Sequence, residues 1–358
     1  MAVRKSASRK WVTVPMALTL FILPGTALRA QPANPDPLFS SDELLNITLT
    51  APFRQIDRER DKEAKYAGTL GYTDSKGAPV VLDIKLQVRG NHRLDRKICR
   101  YSQLWVNIRT GQAAGTLFEN QDKIKLVVQC QNHDRYAEYI AKEQQAYLMF
   151  QQLSELSLGT RLLNATYVDS DDPDSRRTHL AFLVEHQDRL AQRFGMEKVD
   201  LERVKVTSLE PEQSSLVALF MFLIGNTDFS LTLGASGEEC CHNAKLLVDS
   251  SGTYHPIPYD FDASGFVDAS YAAEPKSSLG IRNNRQRLFR GYCAHQAALA
   301  GAIGRLQEAH DSLLSIIGDT TYLGTGAAER SADYLGAFYE IIGDPDSRQD
   351  RIISHCRG

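Results

Sequence analysis

The segment KYAGTLGYTDSKGAPVVLDIKLQVRG, residues 65–90, decides the fold class of the first part of the chain. Apolar and polar residues alternate on both sides of DSKG, residues 74–77, which has the composition of a hairpin loop. Similar strand-like runs lie on either side of this segment, at LLNITLTAPF (44–53), SQLWVNIR (102–109) and KIKLVVQC (123–130). We therefore expect mainly β-structure up to residue 130.

The apolar pattern changes to helical spacing from residue 134 onwards. DRYAEYIAKEQQAYLMFQQLSEL (134–156) predicts a long amphipathic helix with Asp134 as its N-cap. A short strand is expected at HLAFLVE (179–185). The later apolar segments are mostly helical: HQDRLAQRFG (186–195), EPEQSSLVALFMFLIGN (210–226) and the tail from 290 to 356.

This order of elements predicts an α+β chain with two lobes. We expect residues 41–190 to form a β-rich N-terminal lobe with one long helix. Residues 191–358 are expected to form a helical C-terminal lobe that carries one β-hairpin. The Pro-rich, polar residues 31–40 predict a linker.

Residues 1–30 have the charge, length and order of a signal peptide. Four basic residues precede an apolar stretch that is too short and too interrupted by proline for a stable membrane span: Arg4, Lys5, Arg9 and Lys10. The sequence thus predicts an exported protein, periplasmic or extracellular.

The charge of the chain argues against nucleic acid as a partner. The chain has 41 Lys and Arg and 44 Asp and Glu, and residues 1–30 contain five of the basic residues and none of the acidic ones. The remainder therefore has 36 basic and 44 acidic residues, a formal charge of −8. Nucleic acids and anionic membrane surfaces favour basic proteins.

The six cysteines indicate disulfide bonds, because they are even in number in a chain expected to be exported. The partners of the adjacent Cys240 and Cys241 cannot be derived. A zinc site with His242 is an alternative for these two, although the spacing matches no usual zinc pattern. The expected pairs join neighbouring segments: Cys99 with Cys130 and Cys293 with Cys356.

Candidate functional residues concentrate in residues 223–265. A buried helix is expected to end just before Asp228, and strands at 246–248 and 254–258 predict a hairpin. A hairpin brings its ends together, so Asn243 and Asp260 should lie close to each other and to Asp228. With Asp262 beside them, these side chains offer the oxygen ligands that Mg²⁺ or Mn²⁺ takes in nucleotide sites.

The order Asp, Asn, hairpin, Asp is the order of kinase-type phosphoryl transfer. The alternative is that each residue is a turn or cap residue, because Asn and Asp are common there. His242 and His255 flank the proposed site and are expected to be packed or partly exposed histidines rather than ligands. Hydrolase triads, HExxH and Walker motifs are absent from the sequence.

An ordered set of motifs resembles the CotH family of atypical kinases, the spore-coat protein H type. The motifs are RGN (89–91), EHQDRLAQRFG (185–195), NTD (226–228), Asn243 and YDFD (259–262). The resemblance spans roughly residues 80 to 290. It implies a two-lobed kinase-like fold that uses ATP and Mg²⁺ (or Mn²⁺) to phosphorylate a secreted or envelope protein.

Position by position, the resemblance also implies roles. Asp228 looks like the catalytic aspartate, and Asn243, Asp260 and Asp262 look like metal ligands. Glu185 would lie on the adenine side of the nucleotide. The chain departs from the family where RGNHR lacks the usual Ser or Thr after RGN, and where the stretch between Asp228 and Asn243 is expanded and carries two cysteines.

The lysine that usually follows RGN in the family cannot be placed. Lys123 and Lys125 lie on a predicted strand ahead of the helix that contains Glu143, and a strand Lys paired with a helix Glu positions nucleotide phosphates in kinases. We take Lys125 and Glu143 as this pair, although both can equally be solvated surface residues. Arg89 can bind a phosphate with two hydrogen bonds or hold a turn together.

Three functions stay open. The first is an exported kinase-like phosphotransferase with a protein substrate. The second is a catalytically inactive binding or assembly module of the cell envelope. The third is a metal-dependent enzyme that modifies nucleotides or glycans with the same carboxylates.

Overall fold

Seven strands close into a barrel in the computed structural model, which describes residues 1–2, 33–235, 237–318 and 321–358. Apart from residues 1–2, the predicted signal peptide (1–30) and the start of the predicted linker (31–40) lie outside the described residues. The barrel strands are β1 (Leu45–Ala51), β2 (Lys65–Thr73), β3 (Pro79–Arg89), β4 (Gln103–Ile108), β5 (Lys123–Val128), β6 (Thr160–Asp169) and β7 (Arg176–Val184).

The hairpin predicted from residues 65–90 is present as β2 and β3, which pair antiparallel from Lys65 opposite Gln87 to Thr73 opposite Pro79. The loop is held by Asp74, whose Oδ1 accepts the backbone N–H groups of residues 76 and 78 at 2.9 and 2.8 Å. Gly77 has φ +81°, a conformation that glycine adopts without strain. The short polar loop therefore fixes the register of one of the two longest ladders in the barrel.

The predicted two-lobed kinase-like fold is wrong, because the strands close on themselves. The spatial order is β1-β2-β3-β4-β5-β7-β6, and β6 pairs in parallel with β1 from Leu45 opposite Leu163 to Ala51 opposite Asp169. A strand over Thr160–Asp169 is missing from the sequence-based prediction. This strand pairs with residues more than a hundred positions earlier in the chain. No local sequence pattern encodes such a pairing.

Nine helices accompany the strands in the described part of the chain. The predicted helices after residue 134 are present, and α3 begins at Asp134 with His133, not Asp134, as its N-cap. In chain order the helices are α1 (Phe53–Glu59), α2 (Thr110–Ala113), α3 (Asp134–Leu153), α4 (Gln187–Phe194), α5 (Pro211–Leu223), α6 (Gln296–Glu308), α7 (His310–Gly318), α8 (Thr325–Gly343) and α9 (Pro345–Arg351).

Two hydrophobic cores result from the strict alternation of the barrel strands. On β3, Leu82, Ile84, Leu86 and Val88 point inward and are buried in the barrel. The outer faces of β5, β6 and β7 pack against α3 and α5 in a second core. Since α3 is covered by the barrel on one side and by helices on others, it is a core helix and not an amphipathic surface helix.

The predicted second hairpin is also present, as β9 (Ala244–Val248) and β10 (Tyr254–Pro258), after the two-residue strand β8 (Glu197–Lys198). These strands form a small sheet in the order β10-β9-β8. Helix α5 packs against β10, so the hairpin has a fixed position beside the buried core.

The predicted disulfides Cys99–Cys130 and Cys293–Cys356 are both confirmed. Cys240 and Cys241 are bonded to each other, so neither is a thiolate that could bind zinc with His242. Three disulfides are compatible with an exported protein, because disulfides persist in oxidising compartments. None of the described helices has the length and apolar composition that a membrane crossing requires.

His179 on β7 makes the stability of the barrel sensitive to pH. Its imidazole is buried against Tyr101, and its Nε2 lies 3.2 Å from Asn132 Oδ1, an amide oxygen that accepts the hydrogen bond. Burial, together with the charges of Arg177 and Arg100, lowers its pKa from 6.5 to about 4. As the pH falls from 6.5 to 4, the unfolded chain therefore binds a proton that the folded chain does not, and stability is lost.

We expect the free energy of unfolding to fall by about 3 kcal/mol across this pH range because of His179 alone. His179→Gln should remove most of that dependence, as measured by denaturant unfolding at several pH values. His310→Gln is the matched control, because the His310 side chain is 41% exposed. Equal pH profiles for wild type and His179→Gln would contradict the buried neutral imidazole.

Candidate functional site

A cleft of about 600 Å³ opens between the outer face of β3, β4 and β5 and the ends of the β9–β10 hairpin. One of the eight predicted site residues, Glu143, does not line this cleft, because it is buried on α3. Seven of the eight predicted site residues line the cleft: Arg89, Lys125, Glu185, Asp228, Asn243, Asp260 and Asp262.

The barrel wall of the cleft is cationic and aromatic. Trp105 on β4 stands opposite Lys125 on β5, so their side chains share the outer face of the barrel. The Lys123 ammonium lies 4.6 Å from the centre of the Trp105 ring. Arg89, at the end of β3, donates hydrogen bonds to the carbonyls of Leu104 and Leu126 at 3.3 and 3.4 Å, so it does join neighbouring strands together.

Lys125 pairs with Asp260 rather than with the predicted Glu143. Its ammonium donates to Asp260 Oδ1 at 2.9 Å, and the lysine is buried, which excludes the alternative of a solvated strand residue. Burial lowers the pKa of Lys125, and the Asp260 charge opposes this. Burial would raise the pKa of Asp260, but the charges of Lys125, Arg93 and Arg89 hold it well below its ordinary value.

The backbone around Asp260 is held by α3. The Asp260 backbone N–H donates to the hydroxyl of Tyr147 at 2.9 Å, and Asp260 has φ +64°. Aspartate is one of the few residues besides glycine that tolerates this left-handed conformation. The proline-ended strand β10 and the Tyr147 hydroxyl thus turn the carboxylate towards the barrel wall.

Arg93 is a functional candidate that the sequence reasoning missed. It is buried, and its guanidinium lies 3.1 Å from Asp262 Oδ2 and 3.9 Å from Asp260 Oδ1. Burial alone would lower the pKa of Arg93, but Asp262 and its neighbours raise it above the ordinary value. Its position in RGNHR, two residues after the RGN motif, was the signal in the sequence that could have identified it.

Glu143 is the most unusual carboxyl of the site. It is 0% exposed, and neither of its oxygens has a hydrogen-bond partner among the described residues. Burial first, and then the Asp262 charge, raise its pKa to about 8, so it is protonated at neutral pH. Buried carboxyl oxygens without hydrogen-bond partners are costly in a protein interior, and a neutral, protonated carboxyl lowers this cost.

Asp228 lies on the opposite wall, in a small network. Its Oδ1 contacts His242 Nε2 at 2.8 Å, and its Oδ2 accepts a hydrogen bond from Asn243 Nδ2 at 3.2 Å. Burial would raise the pKa of Asp228, but the hydrogen bond and charge of His242 lower it below the usual value. The Asp228 hydrogen bond in turn raises the pKa of His242. His242 is therefore a partly exposed histidine that acts as the partner of Asp228.

Glu185 lines the cleft, but its carboxylate is already engaged. Its two oxygens accept hydrogen bonds from Arg193 at 3.0 and 2.9 Å, and Oε2 also accepts the Gly159 backbone N–H at 2.9 Å. Its side chain is 0% exposed. These contacts join β7 to α4, so the geometry favours a structural role over the expected contact with adenine.

The residues present fit a magnesium ion that arrives with a nucleotide. No group of three or more His, Cys, Asp or Glu side chains in the described ranges is placed to hold a metal. Magnesium in nucleotide sites needs only one or two carboxylates, since phosphates and waters complete its coordination. Asp260 and Asp262 each have one oxygen outside the ion pairs with Lys125 and Arg93, and the amide oxygen of Asn243 is not engaged by a described residue.

Comparison with protein-family models gives no match for this chain, and comparison with curated proteins gives none either. A functional assignment therefore depends on the geometry of the cleft.

Proposed function

We propose that this protein is an exported, magnesium-dependent phosphotransferase that transfers a phosphoryl group from ATP to a hydroxyl group of a secreted or envelope protein. The observation that carries the proposal is the cleft floor, where two carboxylates of the DFD segment are each paired with a buried cation. Asp260 is paired with Lys125, and Asp262 with Arg93. Phosphate binding and metal binding both need such charges, held in fixed positions.

The size and lining of the cleft support a nucleotide as ligand. A volume of about 600 Å³ is within the range of small-molecule sites in proteins. The indole of Trp105 offers a flat apolar surface for a base, and Lys123 beside it adds positive charge. Arg89 and Lys125 lie on the same barrel face and would contact the phosphates. The planar guanidinium can bind two phosphate oxygens at once, whereas the compact ammonium binds as a point charge.

Asp260, Asp262 and the amide oxygen of Asn243 would hold the magnesium ion. The ion would supply positive charge that offsets the charge of the phosphates during transfer. Glu143, protonated beside these carboxylates, avoids adding a third negative charge to the site. Arg93 keeps Asp262 in position, and the Tyr147 hydroxyl does the same for the backbone at Asp260.

Asp228 is the proposed proton acceptor. Its side chain is 42% exposed on the cleft wall, so a hydroxyl of the acceptor protein can reach it. In the transfer, the hydroxyl oxygen bonds to phosphorus, the bond between phosphorus and the leaving ADP oxygen breaks, and the hydroxyl proton passes to the Asp228 carboxylate. His242 and Asn243 keep the carboxylate ionised and oriented before the transfer.

A catalytically inactive binding module is the second candidate, and one observation favours it. Lys125 is neutralised by Asp260 and Arg93 by Asp262, so the floor of the cleft already satisfies its own charges. Such a site can hold a neutral or weakly charged ligand without performing chemistry.

Calorimetric titration of ATP into the exported chain, residues 31–358 with all three disulfides formed, tests the proposal. We expect binding in the micromolar range with Mg²⁺ and binding at least about 10-fold weaker without it. Binding that is unaffected by Mg²⁺ would favour the inactive module. Metal binding without any nucleotide binding would favour a different metal-dependent reaction, and a folded chain that releases no heat would contradict the proposal.

A further inference from the structure

A second cavity, of about 380 Å³, lies between the first half of α3 and α8. None of the residues that line it lines the cleft described above. Helix α3 contributes four residues with the spacing of one helical face: Arg135, Glu138, Tyr139 and Lys142. The α8 side contributes Arg330, Ser331 and Tyr334.

The lining of this cavity, called here the α3–α8 cavity, carries an excess of positive charge. Among these groups, the structure shows one ion pair, between Arg285 Nη1 and Asp268 Oδ2 at 2.7 Å. The cations outnumber the carboxylates by four to two: Arg135, Lys142, Arg285 and Arg330 against Glu138 and Asp268. Two positive charges are therefore left without a compensating carboxylate in the cavity.

Two buried polar groups of the cavity have no partner. Lys142 is 8% exposed, and its ammonium forms no ion pair or hydrogen bond with a described residue. Ser331 is 2% exposed, and its Oγ is buried without a hydrogen-bond partner in the described ranges. An unpaired buried cation and an unpaired buried hydroxyl both cost free energy, which a bound anion would recover.

The electrostatics agree with this geometry. Burial lowers the pKa of Lys142, and the charges of Arg330 and Arg285 lower it further, while Glu138 and Asp268 oppose them. An anion in the cavity would reverse the effect of burial because it stabilises the charged ammonium.

We propose that the α3–α8 cavity is a binding site for a phosphate monoester. Lys142 and the Ser331 hydroxyl would hold the phosphate at the buried end, and Arg330 at the exposed mouth matches two phosphate oxygens with its planar fork. The cavity is larger than one phosphate group, so the phosphate carries an organic group. This inference does not depend on the proposed phosphotransferase activity, because the two sites share no lining residue.

Thermal unfolding with inorganic phosphate at constant ionic strength tests the site. Phosphate should raise the Tm of the wild type, and Lys142→Met should lower the affinity for phosphate at least about 10-fold. Without phosphate, Lys142→Met should be at least as stable as the wild type, because an unpaired buried charge is removed. A lost response in a fully stable variant is then a lost binding site.

Two controls separate this site from other sources of a phosphate effect. Lys76→Met changes the same charge in the exposed loop between β2 and β3 and should respond as the wild type does. Ser331→Ala removes the buried cavity hydroxyl and leaves the lining of the large cleft unchanged, so it should weaken the response only if phosphate binds in the α3–α8 cavity. The inference is overturned if the wild type does not respond, if Lys142→Met responds equally, or if Ser331→Ala responds as the wild type does.

A second ligand distinguishes the sources of the phosphate group. Binding of O-phosphoserine at least about 10-fold tighter than inorganic phosphate, and sensitive to Lys142→Met, supports an organic phosphate as the ligand. Equal or weaker binding of O-phosphoserine would overturn the monoester and leave free phosphate as the ligand of the cavity.

Discussion

Asp260→Asn should weaken the binding of ATP with Mg²⁺ by at least about 100-fold, because the substitution removes a carboxylate that would bind the metal. Without Mg²⁺ the effect should have the opposite sign. Asparagine no longer repels the phosphates, and Lys125, freed from its ion pair at 2.9 Å, becomes available to them. The variant should therefore bind ATP equally well with and without Mg²⁺ in the calorimeter.

The removal of Asp260 also leaves Lys125 buried without its ion pair, which destabilises proteins by about 3–5 kcal/mol. Asn243→Gly avoids this problem, because it removes an amide at φ +49°, where glycine is unstrained. This variant loses the Asn243 hydrogen bonds to Asp228 but keeps the Lys125–Asp260 pair, so its Tm should fall less than that of Asp260→Asn while it still binds Mg²⁺-ATP more weakly. Asp311→Asn, at a side chain that is 98% exposed on α7, is the control for charge. If both site variants still bind ATP in a Mg²⁺-dependent manner, then Asp260 and Asn243 do not bind the metal.

Leu163→Ala should lower the free energy of unfolding by about 2–5 kcal/mol, because it opens a cavity inside the barrel. Leu163 lies on β6, is 0% exposed, and stands opposite Leu45 on β1 and Ala181 on β7. It therefore lies at the point where the barrel closes. Denaturant unfolding followed by circular dichroism measures the loss.

Thr166→Ala on the same strand is the matched control. Thr166 Oγ1 contacts Thr178 Oγ1 on the exposed outer face at 2.9 Å, so its removal should cost less than about 1 kcal/mol. If the two substitutions cost the same small amount, then residues 160–169 do not form the buried closing strand.

The local elements of the fold follow from the sequence, whereas the closure of the barrel does not. Alternation on both sides of DSKG is a local signal, and the β2–β3 hairpin has the register that the short loop imposes. The parallel pairing of β1 with β6 has no such loop. The paired residues of β1 and β6 lie 118 positions apart in the sequence, as Leu45 and Leu163 do. The sequence of either strand alone is compatible with many pairing partners, so it does not specify this one.

The same distinction explains the candidate site. Asn243 and Asp260 lie at the two ends of one hairpin, where the Tyr259 backbone N–H donates to the Asn243 carbonyl at 3.1 Å, and hairpin geometry predicts their proximity. The carboxylate that pairs with Lys125 is decided by the orientation of the barrel relative to the β9–β10 hairpin. Helix α3 buries Glu143 in the core and places Tyr147 against Asp260. Asp260, and not Glu143, is therefore the carboxylate that pairs with Lys125.

The closed barrel also limits how another protein can be recognised. Each barrel strand has a neighbour on both sides, since β6 pairs with β1, so none of the seven strands is an edge strand over its full length. In the smaller sheet, β8 offers an edge of only two residues. The proposed protein acceptor would therefore find no full-length barrel edge to extend with an extra strand. We expect such an acceptor to be selected mainly by its side chains at the rim of the cleft.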